Sequence, residues 1–364
     1  MKKKIQDRHI GIDILRVIAM LSVVFLHTIY SFTVRTDFFL TKSWFIFEPL
    51  AVLSRSSLVL FFMISGYLVV HKNRTVKDNL KTTINRIVIP FFFFSIFASL
   101  FHLFKNGKSL MNSFNPSYIF EDVMKFPDNW LWFLGVMLFL YLLNPLWQEL
   151  FNSDKKRTSA QYITVFFFVF TITAVLLKFL THTLTFFNSY TTWIGYVCCY
   201  LYGALAQKKW GLHKSNVLSV ILFMTGIILG VTGDYFSILN QKNGTPLAFA
   251  GYFTDNIALP PLLIALGLFN FFIHFENWKD PNNLIFKYIN IIIGFFAGLS
   301  YGIYLIHQFI VLTLYDMCGW SVDSAHTNIY IFFFIVYAIT LFGAAAITFF
   351  ISRIPKLRMI IGNS

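Results

Sequence analysis

Ten predominantly apolar stretches, each about as long as a membrane-spanning helix, constrain this chain more than any other feature. Their approximate limits are 12–34, 44–70, 87–104, 130–151, 160–181, 190–207, 216–236, 255–274, 289–315 and 327–352. A helix that crosses the hydrocarbon core needs ~20 such residues. A lipid-exposed backbone can satisfy its hydrogen bonds only within helices or a closed barrel. The connections are short and polar, with no Gly/Ser-rich or Pro-rich linker, low-complexity run or internal repeat, so residues 1–364 read as one membrane domain. Apolar residues make up 57% of the chain and charged residues 12%, where a soluble domain carries roughly a quarter charged. The expected fold is all-α: a polytopic integral membrane bundle of about ten transmembrane helices.

The formal net charge of +13 raises the question of a nucleic-acid partner, and the distribution of the charge answers it. With the N-terminus inside, cytoplasmic segments hold Lys2, Lys3, Lys4 and Arg8, then Lys72, Arg74, Lys77, Lys81 and Arg86, then Lys155, Lys156 and Arg157. Lys208, Lys209, Lys214, Lys279, Lys287, Arg353, Lys356 and Arg358 follow on the same side. The outer segments hold only Arg35, Lys42, Lys105, Lys108, Lys125 and Lys242. The positive-inside rule then places both termini in the cytoplasm. The basic excess is a topology signal that needs no nucleic acid, and it leaves room for anionic lipids or an anionic cytoplasmic substrate. Lys2–Lys4 before an apolar run resemble a signal peptide, but the run from Ile12 to Phe32 is too long for an h-region and no A-x-A-like site ends it. It is expected to stay as the first spanning helix. Cys198 and Cys199 are neighbours in a helix and Cys318 stands alone, so neither a disulfide framework nor a zinc site is expected.

Ionisable groups inside a bilayer are costly, which makes each a functional hypothesis. The first stretch carries Asp13, Arg16 and His27. Eleven residues turn a helix through three turns plus about 20°, so Arg16 and His27 share a face, ~16 Å apart along the axis. Asp13, three residues before Arg16, is placed to pair with it. The second stretch buries Arg55 within Ser54-Arg55-Ser56-Ser57, and Ser65-Gly66 further on favours close helix packing. Ser300, Tyr304 and His307, at spacings of four and three, share a face of the ninth stretch. His27 and His307 lie at similar depths from the cytoplasmic side, which suggests a common polar cavity. Arg86, ending the most basic loop with Pro90 four residues on, is a candidate phosphate contact.

Four ordered blocks resemble the family-3 membrane acyltransferases, bacterial multi-pass proteins that move acyl groups, usually acetyl, onto surface glycans. Ile12-Asp13-Ile14-Leu15-Arg16, ten residues and then His27 is similar to the family's N-terminal signature. Arg55 through Leu68 resembles the second-helix motif, and an Arg at that point resembles the subgroup that O-acetylates enterobacterial common antigen. Leu131-Trp132-Phe133-Leu134 through Tyr141-Leu142-Leu143-Asn144-Pro145 and Ser300-Tyr301-Gly302-Ile303-Tyr304-Leu305-Ile306-His307 resemble the later motifs. The pattern is departed from in two places. Trp130 stands where many members have His, and Thr82 and Thr83 stand where a second basic residue is common.

The resemblance implies a bacterial cytoplasmic-membrane enzyme with acetyl-CoA as cytoplasmic donor and a glycan or lipid-linked sugar as acceptor, and no metal. Arg16 and Arg86 become the candidates for the donor's phosphates, with Asp13 in support. His27 becomes the general base, because a neutral imidazole is the natural proton acceptor near physiological pH. A covalent acetyl-His relay is the variant. Arg55, Tyr304 and His307 are candidate donors to the thioester oxyanion, with Ser300 and Trp132 as further substrate contacts. An orienting carboxylate for His27 would come from elsewhere in the chain, with Asp255 and Asp316 as candidates. The competing reading is a transporter or flippase of a glycan precursor, which predicts inverted repeats and matched broken helices.

Overall fold

The computed structural model describes residues 9–33, 38–105, 130–181, 186–188, 191–212, 215–244, 250–274, 284–320 and 328–362, together with Phe120. Of the charges that set the expected orientation, Lys2–Lys4, Arg8, Arg35, Lys108, Lys125, Lys214 and Lys279 lie outside them. Among the described residues there is helix and no strand.

Each apolar stretch forms helix. The first is α1 (Ile10–Thr33), and the second is split into α2 (Lys42–Arg55) and α3 (Ser57–Val69). A short α4 (Val76–Thr83) leads through a π-helical turn, Ile84–Val88, into α5 (Ile89–Lys105). Then come α6 (Trp132–Leu142), α7 (Asn144–Phe151), α8 (Arg157–Thr181), α9 (Thr192–Gln207), α10 (Asn216–Lys242) and α11 (Leu259–Ile273). The last two are α12 (Leu284–Leu312) and α13 (Ile329–Arg353), and a 3-10 turn, Arg358–Ile361, follows.

Eight of these helical runs are long and apolar enough to cross a membrane, and the bent pair α6–α7 makes a ninth. The tenth stretch is α9, whose 16 residues fall short of the ~20 of an ordinary span. It is nonetheless well enclosed, with every residue from Gly195 to Leu205 buried. By contrast α8 and α10 are the least covered by protein, as lipid-facing helices should be.

Local chemistry sets the boundaries. Thr41 Oγ1 accepts from Trp44 N (3.2 Å) at the start of α2, and Ser215 Oγ accepts from Leu218 N (3.1 Å) at the start of α10. Asn328 caps α13 through Tyr330 N at 2.9 Å. Such caps satisfy amides that have no carbonyl partner in the first turn. At the α2–α3 joint, Ser56 Oγ donates to Leu53 O (2.6 Å) and its amide turns back to the same carbonyl at 3.1 Å. The fourth span bends by 52° between α6 and α7. Pro145 follows at the second residue of α7, where its missing amide proton is tolerated.

The chain divides into two compact units. The first unit comprises Met1–Asn73 and Leu146–Ser300. There α3 packs along α9, α10 along α11, and α1 against α2, α3 and α11. Glycine makes the α3–α9 contact possible. A Cβ built on Gly66 would lie 1.8 Å from Tyr200 O, and one on Gly203 would lie 1.9 Å from Met63 O. The two helices thus meet backbone to backbone at reciprocal points, as Ser65-Gly66 led one to expect. Neither carbonyl can move without breaking its own helix. Gly66→Ala and Gly203→Ala are each expected to remove most of the monodisperse protein, since overpacking costs about 1–3 kcal/mol even where side chains can adjust. Detergent-extracted yield and thermal midpoint are the readouts, and wild-type values for either variant would refute the reciprocal contact.

The second unit comprises Arg74–Pro145 and Tyr301–Ser364. A buried amide network joins α4 to the bend of the fourth span. Asn79 Nδ2 donates to Tyr141 O (2.7 Å), and Asn144 Nδ2 donates to Asn79 Oδ1 (3.2 Å). The Tyr141–Pro145 block is therefore structural in part, because its carbonyl and amide meet the buried side chain of α4 where the span changes direction.

Candidate active site

In the first unit α1 is one unbroken helix from Ile10 to Thr33, so the separation expected between Arg16 and His27 holds at ~16 Å. Arg16 Nη1 lies 3.4 Å from Asp13 Oδ1, which is the pairing the spacing predicts. Asp13 is buried in the first turn, where a carboxylate also favours the helix N-terminus. The Arg16 side chain keeps 33% exposure. His27 is also partly exposed, between the buried Val23–Val24 and Thr28–Ile29.

Arg55 occupies a different environment from Arg16. Its Nη1 donates to Glu48 Oε1 and to Asp234 Oδ2, both at 2.9 Å. Glu48 lies two turns earlier on α2 and Asp234 on α10. Side-chain exposures are 11%, 4% and 5% for Arg55, Glu48 and Asp234. Close helix packing surrounds the cluster: a Cβ on Gly230, one turn before Asp234, would meet Val52 Cγ1 at 2.5 Å. Two carboxyl groups against one guanidinium leave no cationic excess, so Arg55 is not arranged to attract a phosphate. What it does first is join α2 to α10. Sequence reasoning that singles out Arg55 misses Glu48 and Asp234. The signal is present, because each is a carboxylate inside an apolar stretch and falls under the same rule.

The two carboxylates considered as partners for His27 are engaged elsewhere. Asp255 Oδ2 pairs with Lys178 Nζ at 3.0 Å, and Asp316 pairs with Lys105. The three cysteines are free thiols.

In the second unit α12 carries Tyr304 and His307 on one face, as the spacing predicts. The Tyr304 hydroxyl donates to Trp130 O, and its ring meets Phe133 edge-on with centroids 5.1 Å apart. His307 is fully buried. Its Nδ1 lies 2.7 Å from Tyr304 O and 3.2 Å from Ile303 O. A carbonyl oxygen only accepts, so Nδ1 carries the proton and, in the neutral ring, Nε2 presents the lone pair. His307 in this state accepts a proton more readily than it stabilises an oxyanion. Trp130, at the position where many similar sequences have His, packs its ring edge-on against Phe309 (5.1 Å). Ser300, at the end of the first unit, is buried and donates to Ala297 O at 2.9 Å. Trp132, the first residue of α6, is partly exposed. His27 and His307 fall in different units, and each is placed by its own helix.

Arg86 sits within the π-helical turn, exposed, and its carbonyl accepts from Tyr301 Oη at 2.8 Å. A π-turn widens the helix by one residue, a device frequent at functional sites. Thr82 and Thr83 donate their hydroxyls to Asp78 O (2.8 Å) and Asn79 O (2.9 Å), bonding back onto α4.

The helices, their apolar outer faces and these buried polar groups define a multi-pass helical membrane protein. A family model described as an acyltransferase domain, that of acyltransferase family 3, matches residues 9–352. The chain therefore belongs to the acyltransferase-3 family, and its chemistry is acyl transfer at a membrane. No curated protein and no solved structure matches it.

Proposed function

We propose that this chain is a membrane O-acetyltransferase that takes acetyl from cytoplasmic acetyl-CoA and places it on a hydroxyl of a cell-surface or lipid-linked glycan. One observation carries the reading. A single unbroken helix holds a partly exposed arginine, paired with Asp13, near its N-terminal end, and a partly exposed histidine three turns further on. Arg16 receives the phosphates of the donor, and its planar fork suits them. Arg86, in the second unit, offers the same chemistry. The acetyl end extends along α1 toward His27.

In the reaction, the imidazole of His27 takes the proton of the acceptor hydroxyl as its oxygen attacks the thioester carbonyl. The C–S bond then breaks, the ester forms, and the proton passes from the imidazolium to the departing thiolate. Nothing is oxidised or reduced, and free CoA leaves with the proton. The experiment is transfer of radiolabelled acetyl from acetyl-CoA to glycan in membranes containing the chain, against membranes lacking it. Arg16→Ala is expected to raise the KM for acetyl-CoA roughly tenfold, the worth of about one charge-assisted contact. An unchanged KM would remove Arg16 from the donor site, and absent transfer by the unaltered chain would overturn the acetyl-CoA reading.

A further inference from the structure

The segment after α13 is ordered and docked. Its 3-10 turn, Arg358–Ile361, packs against the π-helical turn that carries Arg86 and against α5. Ile361 is buried, and Gly362 closes the turn with φ +69°, in the left-handed region. A Cβ at Gly362 would lie 2.7 Å from Tyr301 Cε1 and 3.4 Å from Arg86 O. The position therefore needs glycine twice over, for its backbone angle and for the close approach. Tyr301 sits at the centre of this contact, since its hydroxyl also holds Arg86 O at 2.8 Å. The C-terminal turn and the π-turn are thus fastened to one another through the Tyr301 ring.

The docking adds positive charge to a surface that already carries it. Lys356 and Arg358 are exposed on the docked segment, just after the exposed Arg353 that ends α13, and there is no acidic side chain between Arg353 and Gly362. Arg86 is exposed on the π-turn, and Lys77 and Lys81 are exposed on α4 just before it. Asp78 is the one acidic side chain between Arg74 and Pro90, and it is bonded by Thr75 Oγ1 at 2.8 Å. Orientation requires only that these cations lie on the cytoplasmic side. It does not require that a basic tail be folded back and fixed onto the turn bearing Arg86.

We infer that Arg358, presented by the docked C-terminal turn, works with Arg86 within the second unit as a phosphate contact for a phosphorylated nucleotide, with acetyl-CoA as the probe. The inference rests on the donor reading above and extends it to a part of the chain beyond the family match, which ends at 352. The occupant is a phosphorylated nucleotide, for which two guanidinium groups on fastened turns supply planar, multidentate contacts. An anionic lipid headgroup shares the phosphate chemistry and is the alternative that the test must separate.

The test uses the full chain in nanodiscs of neutral lipid, with equilibrium binding of radiolabelled acetyl-CoA. Arg358→Ala is expected to weaken binding roughly tenfold and Arg358→Glu more, with Arg358→Lys restoring part of the loss. Gly362→Val, which undocks the turn without touching a charge, is expected to reproduce Arg358→Ala. A thermal midpoint recorded for each variant separates undocking from loss of fold. Wild-type affinity in both Arg358→Ala and Gly362→Val would overturn the inference while leaving the Arg16 site standing. So would variants that bind acetyl-CoA normally in neutral lipid but lose retention of anionic lipid, which would assign Arg358 to the membrane. Failure of the unaltered chain to bind acetyl-CoA at all would remove the donor reading, and this inference with it.

Discussion

Membranes containing His27→Ala should show acetyl transfer reduced at least about a hundredfold, with the protein present at its normal level. General-base catalysis by a positioned side chain contributes about 10²–10⁴, and nothing else on α1 replaces it: the charged groups on the described helix, Asp13 and Arg16, lie near its N-terminal end. A thermal midpoint recorded for His27→Ala separates loss of the base from loss of fold. The comparison with Arg16→Ala sharpens the test. Loss of a donor contact appears in KM, whereas loss of the base appears in kcat even at saturating donor. A covalent acetyl-His relay predicts the same loss, and rapid quenching of the unaltered chain with labelled acetyl-CoA separates the two by label retained on the protein. Full activity of His27→Ala at normal expression would take the imidazole out of the mechanism.

The second large effect is structural. Arg55→Leu should remove most of the folded protein, because it strands Glu48 and Asp234 as buried carboxyl groups with no cation between α2 and α10. Breaking a buried ion pair by deleting one partner costs about 3–5 kcal/mol, whereas replacing the whole group with apolar residues is often neutral. Combining Arg55→Leu with Glu48→Met and Asp234→Leu should therefore recover much of the yield that Arg55→Leu alone loses. Asp234→Asn by itself leaves Glu48 to hold the guanidinium and should cost less than Arg55→Leu. Thermal midpoints in detergent across this set read the coupling directly, and equal midpoints for Arg55→Leu and the unaltered chain would show that the three groups do not act together. The triple variant has a second use. If it is folded and still transfers acetyl, Arg55 is a fastening between helices; if it is folded and inactive, Arg55 serves the substrate as well.

Much of the architecture is legible in the chain itself. Helix length and apolar content follow directly from the thickness of the hydrocarbon core, so all ten stretches form helix where hydropathy places them. Regular helix geometry carries local pairings equally well: Asp13 with Arg16, and Tyr304 with His307 on one face, need only 100° per residue. Gly66 is legible as a packing position because small residues are what let helices approach closely in lipid.

What only the tertiary structure decided is which distant groups meet. Arg55 reads in sequence as a lone buried cation, a candidate for substrate. Its two carboxylates come from the same helix seven residues back and from a helix 179 residues on, and no periodicity links Asp234 to α2. Asp255 and Asp316 look available in sequence, yet each is paired with a lysine brought from another helix. The docked C-terminal turn follows the same logic, since its fit depends on a missing side chain at Gly362 meeting the Tyr301 ring. The sequence by itself determined the membrane class and the helices, because hydrophobic thickness and helical periodicity are local. The ion triad, the tautomer of His307 and the fastening of the tail were decided by contacts that only the folded chain makes.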